Sequence, residues 1–78
     1  MKMDPQTKEL VALAASLAAR CQPCFAHHHK LARELGVDAG QIREVIATTK
    51  EVLAGADRKM DEFIERQSGP SASNGERP

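Results

Sequence analysis

Tryptophan and tyrosine are absent from this 78-residue chain, and phenylalanine occurs only twice, at positions 25 and 63. Proteins that bind single-stranded nucleic acid stack its bases on aromatic side chains, and this chain has almost none to offer. Its eleven basic and eleven acidic residues give a formal net charge of zero, so a basic excess is missing too. Nucleic acid and anionic membranes attract proteins through such an excess. The composition therefore predicts no nucleic-acid partner and no membrane partner.

Long apolar runs are also missing. The longest, residues 10–19, contains Ser16 and is too short to cross a bilayer. Residues 1–7 lack the apolar centre of a secretory signal. We therefore expect a cytoplasmic protein. In that compartment a Cys-x-x-Cys pair is more often catalytic or metal-binding than structural.

No segment alternates apolar and polar residues as a strand would, whereas helical spacing recurs along the chain. Asp4 and Pro5 predict the start of a first helix, because aspartate caps helices and proline fits their first turn. Pro23 predicts the start of a second helix, which we expect to end at Leu35, just before Gly36. The apolar stripe of the first helix comprises Leu10, Leu13, Ala14, Leu17 and Ala18.

A third helix is predicted after Asp38, which has Gln41 as its capping-box partner three residues later. Gly55 is expected to end or bend this helix, and residues 56–67 then read as a fourth, shorter helix. The apolar stripes of these two helices are Ile42, Val45, Ile46, Thr49, Val52 and Leu53 in the third, and Met60, Phe63 and Ile64 in the fourth.

These patterns predict one all-α domain over residues 1–67, built from small antiparallel helices. The polar, Gly- and Pro-containing residues 68–78 predict a disordered tail. A domain of this size hides only about 60% of the surface that its unfolded chain exposes. We therefore expect extra stabilisation from a metal, a disulfide or self-association.

All cysteines and histidines of the chain lie within nine residues: Cys21, Cys24, His27, His28 and His29. The Cys-x-x-Cys spacing suits reversible disulfide chemistry, which requires a thiolate and hence a nearby base. His28 lies one helical turn after Cys24, on the same face of the second helix. His27 and His29 point to other faces, and we interpret them as surface or interface residues.

Glu9 is the remote candidate for this site. A catalytic histidine works best when a further group orients it. If the first two helices pack antiparallel, Glu9 approaches the side of the pair on which His28 lies, directly or through water. The sequence therefore predicts a site made of Cys21, Cys24, His28 and Glu9.

Two other interpretations of the cluster stay open. In one, the cysteines and one or two histidines of a non-catalytic helical oligomer bind zinc or sense oxidation. Structural zinc sites, however, usually take their second pair of ligands from a separate segment, and this chain has no further cysteine or histidine. In the other, the thiols are inert fillers near a helix start.

The pattern Glu9-x11-Cys21-x2-Cys24-x3-His28 resembles the signature of the alkyl hydroperoxidase D-like (AhpD-like) branch of the carboxymuconolactone decarboxylase family. The sequence that follows, Leu31-Ala-Arg-Glu-Leu-Gly36-Val-Asp, is similar to the helix ending of that family and the start of its next helix. Together these features cover roughly residues 9–55, and four residues at set spacing are far more specific than the cysteine pair alone.

The resemblance implies an all-helical homo-oligomer, often a trimer or hexamer, with thiol-dependent peroxidase or disulfide reductase activity. It implies that Cys21 and Cys24 are the redox pair, that His28 relays the proton and that Glu9 supports the relay. It also implies a lipoylated or thioredoxin-like reductant and no cofactor beyond the disulfide. The order in which the two cysteines react stays open.

This sequence departs from the family pattern at two points. Pro23 stands where some hydroperoxidases have an additional histidine between the cysteines, which argues against efficient peroxide reduction. The chain also corresponds to one minimal repeat, whereas larger members have an additional helical half. The missing half gives this chain more reason to oligomerise. The decarboxylases of the wider family lack the cysteine pair, so we do not expect lactone decarboxylation.

Overall fold

The computed structural model describes residues 2–69, and this part of the chain forms helices and no strand. The helices are α1 (Pro5–Ala18), α2 (Gln22–Glu34) and α3 (Ala39–Ser68). The predicted all-α class is therefore confirmed. The predicted start of the first helix and the predicted start and end of the second lie within one residue of the observed ones, a difference no larger than that between assignment methods.

The start of α1 is fixed by Asp4. Its carboxylate accepts hydrogen bonds from the Thr7 backbone N–H at 2.8 Å and from the Thr7 hydroxyl at 3.0 Å. Because these bonds favour the charged carboxylate, with the backbone bond contributing most, they lower the pKa of Asp4. Pro5 occupies the first turn, where its missing N–H has no partner to lose.

α1 and α2 form an antiparallel hairpin. Near one end of the pair, the Gln6 side chain donates a hydrogen bond to the Leu35 carbonyl at 2.7 Å. At the other end, the chain turns through Ala19, Arg20 and Cys21, and Arg20 has a positive φ of 56°. The expected antiparallel packing of the first two helices is therefore present.

A short connection then leads from α2 into α3. Gly36 has a φ of 89°, a conformation that residues with a Cβ rarely adopt, and it ends α2 as the sequence predicts. Asp38 caps α3, and the Gln41 side chain accepts from the Asp38 N–H at 3.4 Å. The predicted capping box is therefore confirmed.

The core lies where α1 packs against both other helices, while α2 and α3 barely touch each other. Four apolar side chains are buried there, and they are Leu13, Ala32, Val37 and Ile42. Partly buried side chains surround them, namely Leu10, Phe25, Val45 and Ile46. The prediction of a stripe on α1 is right for Leu13 but includes Ala18, which is exposed.

The third helix does not end at Gly55 and residues 56–67 are not a separate fourth helix, because α3 runs without interruption for 30 residues. A glycine inside a helix costs only about 1 kcal/mol relative to alanine. The apolar spacing continues in register across it, from Leu53 through Ala56 to Met60, so the helix has no reason to end there. Ser68 also belongs to α3 and Gly69 is its C-cap, whereas residues 70–78 of the predicted tail lie outside the described residues.

The second half of α3 extends past the three-helix core. Its apolar residues stay exposed, with 65% of Val52, 57% of Met60, 49% of Phe63 and 42% of Ile64 accessible to solvent. The described residues measure 51 Å in their longest dimension but only 26 and 21 Å in the others. Between residues 2 and 69, no helix combines the length and the apolar character needed to cross a membrane.

The continuity of α3 can be tested with a substitution at Gly55, and a substitution at Gly36, which lies outside α3, serves as the contrasting case. Gly55→Ala should raise the free energy of unfolding by up to about 1 kcal/mol, because alanine favours a helix and the added Cβ makes only an ordinary contact. Gly36→Ala should lower it by a similar amount, because its positive φ strains any residue with a Cβ. Urea unfolding followed by circular dichroism measures both. A destabilising Gly55→Ala would contradict a continuous helix.

Candidate functional site

The two cysteines of the chain form a disulfide at the start of α2, with their Cα atoms 5.3 Å apart. Cys21 is the N-cap of the helix, and its sulfur accepts a hydrogen bond from the Cys24 N–H at 3.2 Å. Cys21 is partly buried and Cys24 is exposed. The pair therefore lies at the protein surface, within reach of a dissolved reactant, at the helix end where partial positive charge favours a thiolate.

Backbone contacts with α1 hold the pair in place. The Cys21 N–H donates to the Ser16 carbonyl at 3.0 Å, and the Phe25 N–H donates to the Cys21 carbonyl at 3.0 Å. Ser16 is itself buried, and its hydroxyl donates to the Ala12 carbonyl at 2.7 Å. The end of α1 thus fixes the backbone from which the first sulfur projects.

Glu9 on α1 meets His28 on α2, with Glu9 Oε1 2.7 Å from His28 Nδ1. The glutamate side chain is only 13% exposed and the histidine side chain 30% exposed. Because a carboxylate accepts, this contact places a proton on Nδ1 and leaves Nε2 available to other groups. The antiparallel packing of α1 and α2 therefore gives the histidine a carboxylate that orients it.

The predicted site residues form two adjacent pairs. Cys21 is joined to Cys24, and Glu9 is joined to His28. Cys24 and His28 share one face of α2 at a four-residue step, but no hydrogen bond joins His28 to either sulfur in this oxidised form. A disulfide has no proton to transfer, so such a bond is not required of this state.

The other two histidines have different neighbours. The exposed His27 ring meets the His28 ring edge-on, with the two ring centroids 4.9 Å apart. The His29 ring packs beside the Phe25 ring, with the two centroids 5.7 Å apart. Across residues 2–69, no three histidine, cysteine or acidic side chains are grouped as ligands of one metal ion would be.

An open groove of about 510 Å³ runs beside the disulfide. Sequence reasoning missed its contribution to the site. Phe25 could have been noticed, since it directly follows the second cysteine. Arg20 could not, because its position depends on a backbone conformation that its residue type disfavours. The residues that line the groove are Ser16, Leu17, Arg20, Cys21, Gln22 and Phe25.

The sequence of this chain matches a known protein family. Residues 2–62 match the sequence profile of the Carboxymuconolactone decarboxylase family. A curated protein of Paracoccus denitrificans, described as "Uncharacterized protein 4 in cox locus", is 39% identical over 54 residues. The alignment covers 69% of this chain and 49% of that protein, so the chain spans about half the length of this relative. No solved structure is significantly similar to the chain.

The contact between Glu9 and His28 has a spectroscopic signature. Two-bond ¹H–¹⁵N spectra of the neutral imidazoles should show His28 protonated on Nδ1, because Glu9 accepts that proton. Glu9→Ala should return His28 to the tautomer mixture of His27, an exposed ring on the same helix. If the tautomer of His28 is the same in the wild-type and Glu9→Ala proteins, the carboxylate does not orient the ring.

Proposed function

This chain belongs to the carboxymuconolactone decarboxylase family, and on that premise we propose that it is a thiol-dependent oxidoreductase of the AhpD-like branch. The observation that carries the proposal is the surface disulfide between Cys21 and Cys24 at the start of α2. In its dithiol form this pair reduces a peroxide or another disulfide and becomes the disulfide seen here.

Both classes of substrate can oxidise the dithiol to the disulfide without a further reactant. With a hydroperoxide, one thiolate attacks the outer peroxide oxygen, the O–O bond breaks, and an alcohol leaves with a proton. The second thiol then attacks the resulting sulfenic acid, and water leaves as the disulfide forms. With a disulfide substrate, two successive exchanges release two thiols and oxidise the pair.

His28 moves the proton in this proposal. Each cycle needs a base that takes a proton from a thiol and returns it to the leaving group. With its Nδ1 held by Glu9, the His28 ring presents Nε2, one helical turn beyond Cys24. Glu9 positions the ring and stabilises the imidazolium that forms when the proton arrives. This division of roles needs no cofactor beyond the disulfide.

The oxidised pair must be reduced again for turnover. A surface disulfide is accessible to a second dithiol, so we propose a lipoylated or thioredoxin-like protein as the reductant. We place this cycle in the cytoplasm, where such reductants keep thiols reduced. Lactone decarboxylation is not part of the proposal.

Turnover of site variants tests the enzyme directly. Consumption of an organic hydroperoxide, driven by excess dihydrolipoamide, should be lost in Cys21→Ser and Cys24→Ser, because neither can form the disulfide. His28→Gln should slow it by roughly 10²- to 10⁴-fold, the usual effect of removing a positioned proton-transfer group. His27→Gln is the matched control, since that ring is exposed and one residue away, and it should stay near wild type.

Turnover that survives either cysteine substitution would show that the disulfide is not the catalytic centre. Equal losses of turnover in His28→Gln and His27→Gln would contradict the proton-transfer role assigned to His28. They would not contradict the role of Cys21 and Cys24 as the redox pair. A disulfide substrate such as oxidised glutathione, tested in parallel, separates peroxidase from disulfide reductase activity.

We also propose that the chain functions as a homo-oligomer, a trimer or hexamer, held through the second half of α3. The exposed residues Val52, Met60, Phe63 and Ile64 lie on one face of this helix. That face continues the stripe through which α3 packs on α1, but no residue between 2 and 69 covers it. A large exposed apolar patch of this kind typically marks a protein–protein interface.

The charges beside this face suggest how copies meet. By helical spacing, Asp57 and Asp61 follow one edge of it, and Lys59 and Arg66 follow the other. Two such helices side by side in the same direction would bring acidic edge against basic edge, as in parallel coiled coils. A cyclic assembly repeats that contact around its axis. The α3 face therefore suits pairing with further copies of itself.

Sedimentation velocity tests the assembly. The wild-type protein should sediment as an oligomer, and Phe63→Glu should shift it towards the monomer, because a charge then lies within the apolar face. Arg58→Gln changes the net charge by the same amount on the opposite side of α3 and should not alter the mass. A monomeric wild-type protein at high micromolar concentration would contradict the proposed interface.

A further inference from the structure

The groove beside the disulfide has walls of different chemistry. Leu17 and Phe25 give it apolar surface, and Cys21 of the redox pair is among the residues that line it. Its volume of about 510 Å³ lies within the range of pockets that hold small organic molecules. A substrate with an apolar body can therefore lie in this groove with one end at the redox pair.

Arg20 is the positively charged residue among those that line this groove. It is the only ionisable side chain among the lining residues besides Cys21, so no acidic group in the lining opposes it. Within residues 2–69, no carboxylate lies within ion-pair distance of its guanidinium. The guanidinium is thus available to an anion from solution, and its planar shape suits a carboxylate.

The backbone of Arg20 is unusual as well. Its φ of 56° is the only positive value of a non-glycine residue between positions 2 and 69. Such a conformation is strained for a residue with a Cβ, whereas glycine would adopt it freely. Arginine nevertheless occupies this turn, directly before the first redox cysteine. An anion-binding role gives a reason for a charged side chain there.

We propose that this groove binds hydroperoxides of apolar carboxylic acids, and that Arg20 selects them by binding the carboxylate. This inference rests on the proposed redox function and adds a substrate class to it. The apolar chain lies against Leu17 and Phe25, and the peroxide reaches the cysteine pair. The hydroperoxide is reduced to the hydroxy acid, the dithiol is oxidised to the disulfide, and one water is released.

Binding without chemistry is the first test. Octanoate and octanamide have the same chain and differ in charge, so titrating each into the oxidised protein isolates the contribution of the carboxylate. Methyl and ring NMR signals of Leu17 and Phe25 should shift in both titrations, with octanoate binding about five- to tenfold more tightly. Arg20→Gln should remove the difference, and Arg20→Lys should restore part of it. The control is Arg58→Gln, at an exposed arginine of α3, which should leave the difference in affinity between octanoate and octanamide unchanged.

Turnover is the second test. A long-chain hydroperoxy acid and its methyl ester should differ in kcat/KM by a similar factor in the wild-type protein, through KM, and Arg20→Gln should equalise them. Equal binding of octanoate and octanamide, or a preference that survives Arg20→Gln, would overturn the anion site. Selective binding without turnover of any hydroperoxide would support the anion site and contradict both the hydroperoxide substrate and the peroxidase part of the proposed function. Equal turnover of both hydroperoxides would support the redox function and contradict the selectivity.

Discussion

The packing of α1 against α2 is the contact on which the site depends. It brings the Glu9 carboxylate to 2.7 Å from the His28 imidazole, two residues that lie 19 positions apart in the sequence. The same packing buries Leu13 and Ala32. The turn that joins the two helices places the first cysteine, because the Cys21 N–H donates to the Ser16 carbonyl within that turn. A shift of α1 along α2 by one turn would separate Glu9 from His28.

The core beneath this site is small. Among residues 2–69 only four apolar side chains are buried, while the second half of α3 leaves large apolar residues in solvent. A single copy of this size is marginally stable, because it removes too little apolar surface from water to offset chain entropy. The disulfide closes a loop of only a few residues and therefore stabilises the fold little. Stabilisation through the exposed α3 face and reactivity at the disulfide are separate requirements, met by different residues.

Local signals made much of this fold predictable from the sequence. The caps at Asp4 and Asp38 and the stop at Gly36 follow from side-chain and backbone chemistry within a few residues. Gly55 misled the prediction because a glycine lowers helix propensity by an amount that surrounding residues can outweigh. The long α3 depends on the sum over 30 residues rather than on that one position.

The site was predictable to a lesser extent. Cys21, Cys24 and His28 are recognisable because their spacing matches the geometry of one helix start. Glu9 could be named only on the condition that α1 and α2 pack antiparallel, which spacing alone does not fix. The groove depends on how Leu17 and Phe25 converge and on the turn at Arg20. Tertiary packing determines those positions, and no local pattern encodes them.

The most direct test of the redox account is a count of free thiols by mass spectrometry. The fully reduced protein would receive one equivalent of an organic hydroperoxide, and then excess dihydrolipoamide, with thiols alkylated under denaturing conditions after each step. The account predicts two alkylated cysteines at the start, none after the hydroperoxide with a loss of two hydrogens, and two again after the dithiol. Two alkylated cysteines at every step would contradict a Cys21–Cys24 redox couple.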